Sequence, residues 1–134
     1  MTQKKKQNIY PKEIIRFSLE DKYHQFPWHN FIILRNTETV KRIKPEKICY
    51  ITVDCYCSTF HFDDYKQFSC TKSLREIREL LPPYFMRIYR NCIVNIQKIS
   101  EFKIKRRLII LSDGEELKVS CRNVGRLINA LTGN

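Results

Sequence analysis

The sequence predicts a mainly β protein with two short helices. From Phe26 onward, short runs of β-branched and aromatic residues follow one another, separated by polar, Pro or Asp-Gly links. Only two stretches in that region space their apolar residues for a helix, and a serine suited to capping precedes each. The links are short, which favours antiparallel pairing of neighbouring strands.

Residues 1–25 read as a basic extension. "TQKKKQ" is polar and expected to be mobile, and "PKEIIRFSLEDKYHQ" is compatible with a short helix from Pro11 carrying Ile14, Ile15 and Leu19 on one side. Residues 26–134 form the β-rich domain. "NFIILRN" and "ETVKRI" are strands joined at Asn36-Thr37, and Pro45-Glu46 interrupts the chain before the strand "KICYITV". "YCSTFHF" and "YKQFSC" follow, with Asp63-Asp64 in the turn between them. The first helix is expected at "TKSLREIRELLPP". Ser73 and Glu76 have capping-box spacing, Leu74, Ile77, Leu80 and Leu81 share a face, and Pro82-Pro83 ends it.

"YFMRIY" is the next strand, and it feeds a turn at Tyr89-Arg90-Asn91 before "CIVN" and "IQKISEFKI". "RRLIILS" and "EELKVS" flank Asp113-Gly114, which suggests a hairpin with a type I′ turn. Ser120 is placed to cap a last helix over "CRNVGRLINAL", with Val124, Leu127, Ile128 and Leu131 inward and Gly133 as the stop.

The charge balance bears on partners. With 25 Lys+Arg against 14 Asp+Glu, the formal net charge is +11. Such an excess attracts polyanions, with nucleic acid ahead of acidic membrane surfaces or acidic proteins. No secretory h-region and no apolar run of membrane-spanning length is present, so a cytoplasmic protein without membrane insertion is expected. In that compartment the 6 cysteines stay reduced and serve mostly as small apolar residues.

Catalytic and metal chemistry are not indicated. Cys55-x-Cys57 and His61 lack a second ligand pair at zinc-site spacing, and strand alternation would let both thiols face the core. With 3 Gly, a phosphate-cradling loop is hard to build, and no nucleophile elbow or paired-carboxylate motif is present. The expectation is therefore no enzyme, no metal and no cofactor.

Among the basic residues, Lys103, Lys105, Arg106 and Arg107 read as a solvated hairpin end. Arg90-Asn91 and Arg122-Asn123 differ, because each places an arginine and an amide at an element boundary. Arginine pairs bidentately with guanine O6 and N7, and asparagine with adenine N6 and N7. Arg122 in the first turn of a helix opposes the helix dipole, a cost that a phosphate docked there would reverse.

The order of these features resembles the LytTR DNA-binding domains of bacterial transcriptional regulators, over about Phe26 to Leu131. The family signature runs aromatic-aromatic-Arg-x-His-Arg-Ser-aromatic-Ile-Val-Asn. In "YFMRIYRNCIVNIQKISEF", Phe85, Arg87, Arg90, Ile93, Val94 and Asn95 fit it, while Tyr89, Asn91 and Cys92 replace the histidine, the serine and the later aromatic. "KPEKICYITV", "CTKSLREIRELLP" and "LSDGEELKVSCRNVGRLINAL" resemble the family's strand start, its helix and its closing hairpin with final helix.

The resemblance implies an elongated stack of antiparallel β-sheets with short helices, binding double-stranded DNA in the major groove through loops. It implies contacts from Tyr56 and Cys57, from Arg90 with Asn91, and from Arg122; Tyr89 and Asn123, next to these arginines, are further candidates. It further implies paired direct-repeat sites, a monomer or weak dimer in solution and, with no receiver domain in the chain, a stand-alone regulator answering to a partner protein or to its own expression level. An RNA-binding module and a basic protein-interaction module are the alternatives that the charge alone also allows.

Overall fold

The computed structural model describes residues 30–133, so the helix expected from Pro11 and the rest of the extension lie outside the described residues. Among the described residues, ten strands form three antiparallel sheets. A two-stranded hairpin joins β1 (Ile32–Arg35) to β2 (Val40–Ile43). The central sheet has five strands in the order β5-β4-β3-β7-β6, built from β3 (Ile48–Asp54), β4 (Cys57–Phe62), β5 (Gln67–Cys70), β6 (Phe85–Tyr89) and β7 (Cys92–Asn95). The third sheet comprises β8 (Ile99–Lys103), β9 (Leu108–Leu111) and β10 (Glu116–Lys118). The helices are α1 (Leu74–Leu80) and α2 (Val124–Thr132).

The central sheet is buried on both faces, which explains why β7 reads as continuously apolar and why all of its residues are buried. On one face Ile51, Phe60 and Ile93 pack with Ile32 and Leu34 of the hairpin and Ile77 of α1. On the other, Met86, Ile88 and Val94 pack with Ile109 and Leu111 of the third sheet and Leu127 of α2. Each such aliphatic side chain contributes about 1.5–3 kcal/mol relative to exposure. Asn95 is fully buried in β7 yet satisfied: its Nδ2 donates to the Ile48 carbonyl at 2.8 Å and its Oδ1 accepts from the Gln97 amide at 2.9 Å.

The capping box forms as predicted, with Glu76 N donating to Ser73 Oγ at 3.2 Å and Ser73 N to Glu76 Oε1 at 2.8 Å. Those bonds hold the Glu76 carboxyl below its ordinary pKa. Leu80, expected inward, is exposed.

Two turn expectations change. In the β9–β10 hairpin only Gly114 has positive φ, at 93°, so the turn is not type I′. Leu111 N bonds Glu115 O at 2.9 Å and Gly114 N bonds Leu111 O at 2.9 Å, the three-residue loop in which glycine takes the left-handed position. The last helix also begins later than predicted. Cys121–Asn123 form a 3-10 turn and α2 starts at Val124, because the Ser120 side chain makes no capping bond to the backbone and is instead held by the Asn123 amide.

Cys55 and Cys57, expected inside, are both exposed. Cys55 occupies the β3–β4 turn at φ 56°, and the inward alternation of β4 starts one residue later, at Ser58, followed by Phe60 and Phe62. Cys49, Cys70 and Cys92 are the buried thiols; burial raises the pKa of all three and pushes Cys92 up to about 12, so they act as packing groups. Among the described residues, no helix is long and apolar enough to cross a membrane.

Candidate nucleic-acid interface

Strand order brings two turns to one end of the central sheet. Asp54 pairs with Cys57 across the β3–β4 turn, and Thr52 pairs with Cys92, where β7 leaves the Arg90-Asn91 turn. The Asn91 carbonyl accepts from the Val53 amide at 3.0 Å, which links the two turns directly. Tyr56, 79% exposed, and Cys57 stand on the first turn; Tyr89, Arg90 and Asn91 are exposed on the second.

Beside the second turn lies a concavity of about 1300 Å3. Arg90 and Tyr89 line it, and so does Arg122 from the 3-10 turn ahead of α2, some thirty residues on in sequence. Arg87 of β6, Arg78 of α1 and Lys118 of β10 also face it, as do Arg126 of α2 and the pair Arg106 and Arg107 from the β8–β9 turn. Eight Lys and Arg residues thus line it, and no acidic residue is among its lining residues. Eight cations on one wall repel one another, and a polyanion laid across them relieves that repulsion.

The connection carrying Arg122 is fixed on several sides. Ser120 N donates to the Ile88 carbonyl at 2.9 Å and Val119 N to the Arg107 carbonyl at 2.9 Å. Asn123 Nδ2 donates to Ser120 Oγ at 2.8 Å, and Arg126 Nη1 to Asn123 Oδ1 at 3.1 Å. Arg107 Nη1 lies 3.0 Å from Cys121 Sγ. The outcome is an exposed Arg122 on a braced turn. Asn123, predicted as a DNA contact, is only 6% exposed with both ends of its amide engaged, so it braces the turn from inside.

The structure thus gathers Tyr89, Arg90, Arg122 and the largely buried Asn123 in one concavity and leaves Tyr56, Cys57 and Asn91 outside its lining, on the adjoining sheet end. Sequence reasoning missed Arg78, Lys118 and Arg126 and read Arg106 and Arg107 as a solvated hairpin end. The β8–β9 turn brings Arg106 and Arg107 to this side, whereas Lys103 pairs with Glu101 at 3.2 Å.

The opposite end of the sheet gathers carboxylates beside Lys47, Lys66 and Lys98. Asp63 and Asp64 in the β4–β5 turn and Asp113 and Glu115 in the β9–β10 turn meet there, joined through Lys98. Its Nζ is 3.3 Å from Asp63 Oδ2, and its carbonyl accepts from Ser112 N at 2.8 Å.

Comparison with known proteins accords with this arrangement. A family model described as the LytTr DNA-binding domain matches residues 38–132. Among solved structures, the LytTr DNA-binding domain of a protein described as a methyl-accepting/DNA response regulator from Bacillus cereus superposes with a TM-score of 0.63 at 22% identity, covering 78% of this chain and 98% of that one. No curated protein matches. The match spans most of the ten-stranded domain, including every cation of the concavity, and the chain belongs to the LytTR DNA-binding domain family.

Proposed function

We propose that the protein binds double-stranded DNA in a sequence-specific manner and acts as a transcriptional regulator in the bacterial cytoplasm. The observation that carries this reading is the convergence of Arg90 and Arg122, from distant parts of the chain, on a wall of eight cations without a carboxylate. Arg90 and Arg122 donate to base edges in the major groove, with Asn91 and Tyr89 beside them, while Tyr56 and Cys57 reach the same groove from the neighbouring turn. Arg78, Arg106, Arg107 and Lys118 meet phosphates, supplying affinity that falls with salt.

Two copies on paired direct repeats, each a monomer or weak dimer in solution, fit a domain that reads a short site. A regulatory partner protein is the natural source of an input signal. No residue set in this reading performs catalysis.

Selection of bound duplexes from a random pool, followed by isotherms on the selected and a scrambled duplex, tests the proposal. A preference of at least tenfold for the selected duplex is expected. Equal affinity for the two, or displacement of DNA by single-stranded RNA at equal concentration, sinks it in favour of an RNA-binding module. Binding that vanishes in moderate salt without any preference points to a basic protein-interaction module.

A further inference from the structure

The β6–β7 turn that carries Arg90 and Asn91 lacks the chemistry that makes a tight hairpin turn self-supporting. A two-residue hairpin loop matched to strand twist needs positive φ at one or both central residues, normally from Gly or Asn. Here neither Arg90 nor Asn91 has positive φ. The ladder compensates imperfectly: Arg87 pairs with Ile93, the register then slips by one, and Tyr89 pairs with Cys92, leaving Ile88 as the extra residue of a bulge. The Arg90 carbonyl lies beyond that last ladder pair, and the Tyr89 carbonyl sits at its edge.

Arg87 bonds both of these carbonyls. Its Nε donates to the Tyr89 carbonyl at 3.3 Å, and its Nη2 donates to the Arg90 carbonyl. One planar guanidinium thereby bonds two consecutive carbonyls of the turn, a fork that an ammonium group cannot reproduce. The strand alternation sets this up. Met86 and Ile88 point into the core, so Arg87 stands on the opposite face, three residues from the carbonyl it must reach.

The geometry points to Arg87 as a positioning residue: it holds the Tyr89–Asn91 turn in the shape that presents Arg90 for base recognition. Its charge is a separate contribution, since Arg87 also lines the basic concavity. The recognition half of this inference rests on the proposed DNA function; the bracing half does not.

Arg87→Lys keeps the charge and removes the fork, and Arg87→Met removes both. Amide hydrogen exchange on the free protein reads the bracing. Exchange at Val53, whose amide donates to the Asn91 carbonyl, is expected to rise at least tenfold in both variants, with the Ile51 amide unchanged as a control for global stability. Isotherms on a duplex selected from a random pool and on its scrambled counterpart read recognition. Both variants are expected to lose at least tenfold in preference, while Arg87→Lys keeps its affinity for the scrambled duplex. In an Arg90→Ala background the Arg87→Lys change should cost no further preference. Wild-type exchange and preference in Arg87→Lys would reduce Arg87 to a phosphate-facing charge and overturn the inference. A wild-type protein with no duplex preference would instead refute the DNA reading, and exchange alone would then decide the bracing.

Discussion

The backbone amide of Ser120 donates to the carbonyl of Ile88 at 2.9 Å, tying the chain that leads to Arg122 onto the edge strand that leads to Arg90. Ile88 is the bulged residue of β6, so its carbonyl is open to a partner from outside the ladder. This bond sets the two arginines against each other. Ser120 has φ −71° and ψ 152°, values a proline accepts, so Ser120→Pro deletes the donor without forcing the backbone. The variant should lose about 1–3 kcal/mol in urea unfolding and bind DNA at least tenfold more weakly. Ser120→Ala, which keeps the amide, should retain most of the binding; equal binding by both would remove this bond from the recognition geometry.

Arg90→Ala and Arg122→Ala should each cost roughly 1–3 kcal/mol on a selected duplex and far less on a scrambled one. Both side chains are exposed, so unfolding midpoints should match that of the parent protein. Equal losses on the two duplexes would make these arginines phosphate contacts only.

Phosphate contacts have their own signature. Each cation that meets a phosphate contributes about 0.9 to the slope of log K against log salt. Arg78→Gln and Arg106→Gln should each flatten that slope by about this amount, on selected and scrambled DNA alike. An unchanged slope would place that arginine outside the footprint.

Asn95 has a different role from its neighbours in the signature stretch. Its fully buried amide joins the end of β7 to the start of β3 and caps the 3-10 turn Ile96–Lys98. Asn95→Ala strands the Ile48 carbonyl and the Gln97 amide, and should cost about 2 kcal/mol by chemical denaturation. The folded fraction should bind DNA normally, which separates this residue from Arg90.

His61 makes stability depend on pH. Its ring stacks on Tyr50 with centroids 4.1 Å apart and an interplanar angle of 7°, and its Nε2 lies 3.2 Å from Thr52 Oγ1. Burial lowers its pKa from the ordinary 6.5, against an opposing pull from Glu115. The unfolded chain thus takes up the proton more readily than the folded one. Stability linked to neutral His61 is present above pH 6.5 and is lost as pH falls through the lower folded value. His61→Gln should flatten the fall in unfolding free energy between about pH 7 and about pH 5. Parallel curves for the two proteins would exclude His61 as its source. Tyr50 stays protonated throughout, since burial and then Glu115 raise its pKa to about 12.

The strands were legible because a half-buried strand repeats every two residues, and β4 and β6 keep that repeat cleanly. The capping box at Ser73 was legible because it is a local bond between residues three apart. The β9–β10 turn type was not: Asp-Gly fits more than one loop, and the register of the flanking strands chose among them. Cys55 and Cys57 were misplaced because alternation alone does not say where a strand begins. At the candidate site, Arg90 and Arg122 could be picked out from their residue types at element boundaries. Arg78, Arg106 and Arg126 could not, since their proximity depends on how three sheets and two helices stack. Asn123 looked like a surface contact until its amide was found bonded to Ser120 and Arg126.

The sheet end that gathers Asp63, Asp64, Asp113 and Glu115 lies away from the arginine-lined side. A charge separation of that kind behaves like a compass needle near a highly charged rod. If the domain binds DNA as proposed, it would feel a torque in the field of a duplex before any contact and arrive with Arg90 and Arg122 leading. Collisions made carboxylate end first would be less favoured, so a larger share of encounters would begin in the orientation proposed to read bases. The carboxylates that never touch DNA would then still set how fast it is found.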